Sequence, residues 1–420
     1  MITFLLNAVK IIFLLGLLIG IHETGHFLIA KLCKVKVNEF AIGFGPTIWK
    51  KQGKETKYAI RLIPLGGFVN MEGEEEHSDK EGSFSNASIP KRIAIVIAGA
   101  MVNIIFAIII YFILLSIDGN NTTTIVDTPI PEYAAISAGI QQNDEIIKIN
   151  GKRTRTLEDV TAAMNKCNGD EITVTIKRNG KTQDISFKPT EEKYKETGIY
   201  LYQVEQKSTK IAALVPKSPA EQQGLKAGDN IISVNDIYVK DNPEELINFL
   251  NKNDYTLLKF DIERNGKQMT IDVTPSDKSV YYLGVAFKPA ENNFLNNTYY
   301  AGIGTGKFLV SILDNVKQLF IGEVKVDQMM GPVGISELVA KTNGVREFVY
   351  MLALISISLG VTNLMPFPPL DGGKILFLII EAIRRKPLKE TTEMKIQIAG
   401  FAFLIGLSIF ITYKDILRIF

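Results

Sequence analysis

The first thirty residues constrain this chain more than any others. Between Ile2 and Ala30 the only formally charged side chains are Lys10 and Glu23. A run of that length and polarity reads as a retained transmembrane helix. It has neither a basic leading region nor a small-x-small cleavage site, so a signal peptide fits less well. Inside the run stands His22-Glu23-Thr24-Gly25-His26, an H-E-x-x-H motif. Positions i and i+4 of a helix share a face, so both imidazoles can address one metal ion. The glutamate between them is placed to take a proton from a water at that metal. The plainer alternative is a pair of satisfied core histidines. Two of the chain's 3 histidines lie in this motif. A charge at mid-bilayer costs about 2.5–3.5 kcal/mol, so these residues need a reason to be there, and the metal reading is the stronger one.

Three further apolar blocks, Ile93–Ile117, Phe348–Met365 and Ile396–Tyr413, carry no Asp, Glu, Lys or Arg. Together the four blocks predict a polytopic α-helical membrane protein. Residues 31–92 hold 11 Lys/Arg, and residues 384–395 hold Arg384, Arg385, Lys386, Lys389 and Lys395, whereas residues 118–137 hold none. By the positive-inside rule both basic segments are cytoplasmic, and 118–346 and both termini lie outside. The formal charge of +2 gives no bulk attraction to nucleic acid, and Cys33 and Cys167 make neither a zinc cluster nor a disulfide framework.

Residues 36–72 are broken by Gly43, Gly45, Pro46, Pro64, Gly66 and Gly67 and read as β structure. Lys57–Ile63 partly alternates, as an edge or half-buried strand does. Such a hairpin either merely links two helices or offers an edge to an extended substrate. Residues 72–86, with Glu74-Glu75-Glu76, His77 and Asp79, read as a solvated loop, and His77 has no partner at ligand spacing.

The long outer segment contains a repeat. Ala138–Asn150 reads against Gln223–Asn235 at a constant offset of 85, and Arg178-Asn179-Gly180-Lys181 recurs as Arg264-Asn265-Gly266-Lys267. Each copy has a helix-end glycine, an apolar strand and an Asn-Gly hairpin signal. The run from Gly224 to Asn235 resembles the PDZ domain, as does the first copy, with Asn143 where that family favours Gly. That implies two external PDZ-like β-rich domains, 120–192 and 205–290, which bind extended peptides or act only as spacers that screen the active site. Residues 303–321 form one amphipathic face, to lie on the membrane or pack on the modules. Gly302–Lys307 lacks the spacing of a phosphate loop, and a nucleotide site is rejected.

A catalytic zinc takes three protein ligands and keeps one position open. Asp371 is the best candidate for the third. It closes Asn363-Leu364-Met365-Pro366-Phe367-Pro368-Pro369-Leu370-Asp371-Gly372-Gly373, where three prolines forbid a regular helix at membrane depth. An Asp there is also an ordinary N-cap for a helix 372–384. The motif at residues 22–26, still short of a ligand, favours the site.

Taken together, the chain resembles the bacterial site-2 protease family of intramembrane zinc metalloproteases, in the branch of the regulators of sigma-E protease. The likeness spans most of the chain. It rests on H-E-x-x-H, Phe44-Gly45, Leu65-Gly66-Gly67, Asn103, the tandem modules and the N-x-x-P-x-P-x-L-D-G run. The resemblance implies Zn²⁺ held by His22, His26 and Asp371, with Glu23 as base and Asn363 handling substrate. It implies that the hairpin, around Gly66 and Gly67, binds substrate as a strand. It implies circularly permuted PDZ domains that admit only substrates shortened by an upstream site-1 type protease. This chain has Gly99-Ala100 where the family often has Gly-Pro.

The expected organisation is transmembrane helices at 1–30, 93–117, 347–384 (with its loop and the helix after it) and 396–413. A cytoplasmic loop 31–92 carries a membrane-associated β-hairpin, and an interfacial segment covers 295–346. The expected activity is cleavage of single-pass membrane proteins, such as anti-sigma factors or signal-peptide remnants, in the lipid bilayer of a bacterial plasma membrane. The alternatives are a membrane-anchored zinc protease acting on soluble loops and a non-enzymatic PDZ scaffold. Polar residues 116–124 and the prolines are read as the water path to the metal.

Overall fold

A computed structural model of the chain describes residues 2–74, 76–201, 208–252, 255–322, 330–342 and 344–419. Glu75 of the acidic loop falls outside them. The chain forms two compact units, Met1–Asn121 with Glu291–Phe420, and Thr122–Ala290.

The first unit is helical apart from one ribbon. Its elements are α1 (Ile2–Leu32), β1 (Val37–Gln52), β2 (Lys57–Met71), α2 (Ile89–Asp118), α3 (Phe294–Ile321), α4 (Pro332–Ala340), α5 (Val345–Asn363), α6 (Asp371–Arg384) and α7 (Glu390–Ile419). Among the described residues four helices are long and apolar enough to cross a membrane: Leu6–Leu32, Ile89–Asp118, Val345–Asn363 and Glu390–Leu417. They contain the four apolar blocks almost entire, extended by their caps. Pro90 suits the first turn of α2, and Gly119, at φ 62, ends it by donating to the Leu115 carbonyl.

Helices α1, α2 and α5 share a core around Leu14, Leu18, Ala107, Ile110, Leu352 and Ile357. Small residues set the spacing, as lipid-embedded helices need. A Cβ on Gly25 would stand 2.5 Å from the Ala98 carbonyl oxygen, and one on Gly360 would stand 2.8 Å from that of Ala100. The amphipathic segment starts earlier than its periodicity indicated, at an Asn293 cap, as α3. Its apolar face, Phe308, Leu309 and Ile312, packs on this same helical core. Helix α4 has no counterpart in the sequence reading. Its N-terminus is held by buried Asp415 of α7, whose Oδ2 accepts from Gly331 N (2.9 Å) and Gly334 N (2.7 Å).

The ribbon is more folded than a hairpin. Phe40 pairs with both Val69 and Tyr58, Ala41 with both Phe68 and Ala59, and Ile42 with both Gly67 and Ile60. Lys50 and Lys51 then pair with Ala59 and Tyr58. Residues 58–60 therefore have strands on both sides, and the reading of Lys57–Ile63 as an edge is corrected. The ribbon has two outer segments, 49–52 on one side and 67–71 on the other, and 67–71 is the one beside α1. Val37, Val69 and Met71 pack with Ala30, Ile95 and Leu378, while Ile48, Trp49 and Leu62 at the far end are exposed.

The second unit holds two cores, one around Ile146, Ile149, Val174 and Ile176, the other around Ile231, Val234, Phe260 and Ile262. The repeat has a physical content. Buried Asp144 receives both Nε and Nη2 of Arg178 at 2.7 Å, and buried Asp229 receives Arg264 in the same way at 2.6 and 2.7 Å. Each arginine also caps the helix-end glycine, Gly139 or Gly224, through its carbonyl. Asn143 takes φ 73 where its counterpart Gly228 takes φ 94, so the first copy makes the same turn. The boundaries differ from those expected. Strand Val285–Pro289 pairs with Thr122–Pro129, and Leu283 lies in the first core. Strand Ile199–Leu201 pairs with Ile211–Leu214 and packs on the second. Each module is thus completed by a strand lying beyond the boundary that the repeat drew.

Candidate active site

Helix α1 turns His22 and His26 onto one face with their Nε2 atoms 3.1 Å apart. Asp371 is the first residue of α6, and its Oδ2 lies 3.2 Å from His22 Nε2 and 3.3 Å from His26 Nε2. Asp371 is not the N-cap of that helix. Leu370 holds that position, without a side-chain cap, and the carboxylate is free to face the histidines.

These groups fit a cation. His26 Nδ1 donates to the Ile95 carbonyl at 2.9 Å, which leaves Nε2 with a lone pair. Asp371 Oδ2 is buried and has no hydrogen-bond partner. Electron-pair donors facing one another at such distances repel unless a positive ion lies among them, and a buried carboxylate oxygen left unpaired is costly. Two imidazoles and one carboxylate are the donor set of a catalytic zinc with an open position.

The surrounding backbone comes close because glycines permit it. A Cβ on Gly99 of α2 would stand 2.3 Å from His26 Nε2 and 2.8 Å from His22 Cε1. One on Gly67 of β2 would stand 2.9 Å from Glu23 Cγ, so the outer segment 67–71 of the ribbon lies directly on the glutamate. Gly66 passes under the Phe44 ring. Gly372 and Gly373 pack the first turn of α6 against the Met365 and Phe367 backbone, and Gly400 of α7 closes on the Pro368 carbonyl. This packing of the proline-rich loop aims Asp371.

Asn363 completes the group, its Nδ2 3.4 Å from His22 Nδ1 and 3.3 Å from Nε2. The structure thus brings His22, Glu23, His26, Asn363, Gly67 and Asp371 together. Ser116, at the start of the polar stretch read as a water path, is not among them. It lies thirteen residues beyond Asn103 on α2, about 20 Å along the axis, where it accepts from Asn292 and Asn297. A cavity of about 550 Å³ near that end, lined by Tyr111, Asp118, Arg346 and Tyr350, includes none of the site residues.

The acidic loop is tied down rather than free. Lys374, one turn after Asp371, holds Glu74 at 2.7 Å. Lys80, helped by Ser78 and Asn38, holds the Glu72 carboxyl down to about 2. His77 meets Asp79 and stays apart from the histidine pair. Gly25 and Gly99 stand in the motifs read from the sequence, but neither their close packing nor the part of the Ile95 carbonyl was read there. Only their place in the fold marks them.

A profile for peptidase family M50 matches residues 10–407. The chain belongs to peptidase family M50. It is 31% identical to a putative zinc metalloprotease of Vibrio cholerae, over 98% of this chain and 99% of that one. It is 29% identical to a regulator of sigma E protease of Haemophilus influenzae, over 99% and 100%. It is 30% identical to the regulator of sigma-E protease RseP of Escherichia coli, over 98% and 99%. Among solved structures, an HtrA3 PDZ domain with a phage-derived ligand aligns over 22% of this chain and 93% of its own, at 18% identity and a TM-score of 0.19. This M50 peptidase is therefore a zinc metalloprotease of the site-2 protease family, an integral membrane protein with Zn²⁺ as cofactor.

Proposed function

We propose that this M50 peptidase is a multi-pass protein of the bacterial plasma membrane that cuts single-pass membrane proteins within their transmembrane segments. The observation that carries the reading is the meeting of His22 Nε2, His26 Nε2 and Asp371 Oδ2 inside an apolar helical unit. His26 lies six residues from the end of α1, about 9 Å along its axis, so the chemistry takes place within the span and near one face.

His22, His26 and Asp371 would hold the metal. Bound zinc supplies Lewis acidity, lowering the pKa of a water toward ~7 and polarising the scissile carbonyl. Glu23 takes the proton of the attacking water and passes it to the leaving nitrogen. Asn363 hydrogen-bonds the unwound substrate. The outer strand 67–71, reached through Gly66 and Gly67, pairs with the substrate main chain and keeps it extended, because a helix would shield the scissile carbonyl. The exposed Ile48, Trp49 and Leu62 suit contact with lipid. The two modules are PDZ-like, face outward, and admit substrates that an upstream protease has already shortened, such as anti-sigma factors or signal-peptide remnants.

The test uses the detergent-purified full chain with a single-span substrate whose cut site is mapped by mass spectrometry. About one zinc per chain is expected, lost together with cleavage in Asp371→Ala. Glu23→Gln is expected to keep zinc while cleavage drops by about 10²–10⁴-fold. A cut mapped outside the span would favour a membrane-anchored protease of soluble loops. Zinc binding with no cleavage of any substrate would favour a scaffold.

A further inference from the structure

His22 has a second neighbour that the mechanism above does not use. Asn103 of α2 is fully buried, and its side-chain amide stands 3.4 Å from His22 Nδ1, with Oδ1 left buried and unpaired. The position is firmly built. Ser356 of α5 donates to the Asn103 carbonyl at 2.8 Å, and Gly360 lets α5 close on this stretch of α2.

The chemistry of His22 turns on which ring nitrogen carries the proton. His26 is fixed by the Ile95 carbonyl. His22 is not fixed by Asn363, whose Nδ2 is almost equally far from both ring nitrogens. A group bonded in the ring plane to one nitrogen cannot be that near the other, so Asn363 lies over the ring face. Asn103 approaches Nδ1. The two ends of an amide are nearly equal in size, so a half-turn of the Asn103 side chain exchanges donor for acceptor at the ring with little change of shape. As placed, Nδ2 faces the ring and Oδ1 has no partner. Turned over, Oδ1 accepts from Nδ1–H, and Nε2 is left with its lone pair toward Asp371 and His26.

The competing tautomer is a real rival. With its proton on Nε2, His22 would point a donor at Asp371 Oδ2, 3.2 Å away. That arrangement closes the cluster on itself and excludes a metal. An acceptor at Nδ1 is what tips the ring the other way.

We infer that Asn103 is a positioning residue whose Oδ1 accepts from His22 Nδ1–H and so holds His22 in the metal-ready tautomer. The inference rests on the assignment of His22, His26 and Asp371 as zinc ligands. It is tested on the detergent-purified full chain by zinc affinity, measured by competition with a chelator, independently of activity. Asn103→Leu keeps the size and removes the acceptor, and a 10–100-fold weaker affinity is expected, the range typical for loss of such a partner. Asn103→Asp keeps an acceptor in place and has no amide donor, so affinity at or above the wild type is expected. Wild-type affinity in Asn103→Leu overturns the inference. So does an Asn103→Asp variant as weak as Asn103→Leu while its metal-free melting matches the wild type, because the amide would then act as a donor or only as filling. Asp371→Ala measured alongside separates the two levels. If it binds zinc like the wild type, the ligand assignment itself fails. If it loses zinc while Asn103→Leu does not, only the role of Asn103 fails.

Discussion

At the scale of single residues, the site depends on absent side chains as much as on present ones. Gly99 faces both histidines, and a methyl group there would overlap His26 Nε2 at 2.3 Å. The ring cannot easily yield, because its other nitrogen is bonded to the Ile95 carbonyl. Gly99→Ala is therefore expected to weaken zinc binding by at least about tenfold, since small displacements of ligand geometry cost that much, with cleavage falling in parallel. Gly302→Ala is the control. It lies in α3 with nothing within 4 Å, and it should keep zinc affinity and gain up to about 1 kcal/mol of helix stability. Chelator competition and thermal melting on the two variants check both claims. Equal zinc affinity in Gly99→Ala and wild type would refute the steric argument. The contrast also shows what a sequence reveals. His22, Glu23 and His26 announce themselves because a helix converts fixed spacing into a shared face. Asp371 could be proposed because prolines at membrane depth demand a reason. Gly99 acts by lacking atoms, and no local pattern separates it from other small residues in an apolar helix.

At the scale of elements, the repeated modules are held by one device used twice. Asp144 is fully buried and paired with Arg178, and Asp229 with Arg264 reproduces that geometry atom for atom. Burial pulls the Asp144 carboxyl up, but the bonds from Arg178 and the Gln141 N–H outweigh it and hold the group below the ordinary range. A carboxyl depressed in the folded state adds stability above its unfolded value, about 3.9, and loses it as pH falls through the folded value. Arg178→Met leaves the buried carboxylate with only its backbone donor. It should cost about 3 kcal/mol at pH 7, and the gap to the wild type should narrow as the medium is acidified and Asp144 takes a proton. Hydrogen–deuterium exchange of the strands around Ile146 and Ile176 reads this in the full chain. A gap that stays constant from pH 7 to pH 4 would mean the ion pair is not its source. The recurrence of these residues was legible in the sequence, but the strand exchange was not. Leu283–Phe287 joins the first core and Ile199–Leu201 the second, but both are short apolar segments with no local pattern that names the core. Only long-range pairing decides between them. The same limit applies to the ribbon, where alternation marked residues 57–63 as strand but could not reveal that 58–60 have neighbours on both sides.

At the scale of the whole molecule, the question is which ends of the helices share a side of the membrane. Helix α6, with 14 residues, is about 21 Å long and too short to span the ~30 Å core. Helix α3 has the length but not the composition, carrying Lys307, Asp314 and Lys317, and it is not among the apolar spans. If α3 crossed nonetheless, residues 384–395 would emerge opposite residues 31–92. The contacts within the helical unit argue otherwise. Arg92 pairs with Glu381, Glu74 with Lys374, and the His77 N–H with Glu390, so the loop after α1 and the turn after α6 meet at one end. Asp118 and Arg346 pair at the other. The end where the first set meets is also the Lys/Arg-rich one, which the positive-inside rule assigns to the cytoplasm. With Cys33 and Cys167 replaced by Ala, single cysteines at Lys54 and Lys386 should therefore react with an impermeant thiol reagent only after bacterial spheroplasts are lysed. A cysteine at Lys181, exposed in the first module, should react in intact ones. Opposite behaviour of the Lys54 and Lys386 variants would require an odd number of crossings between them, and α3 would have to be counted as a span.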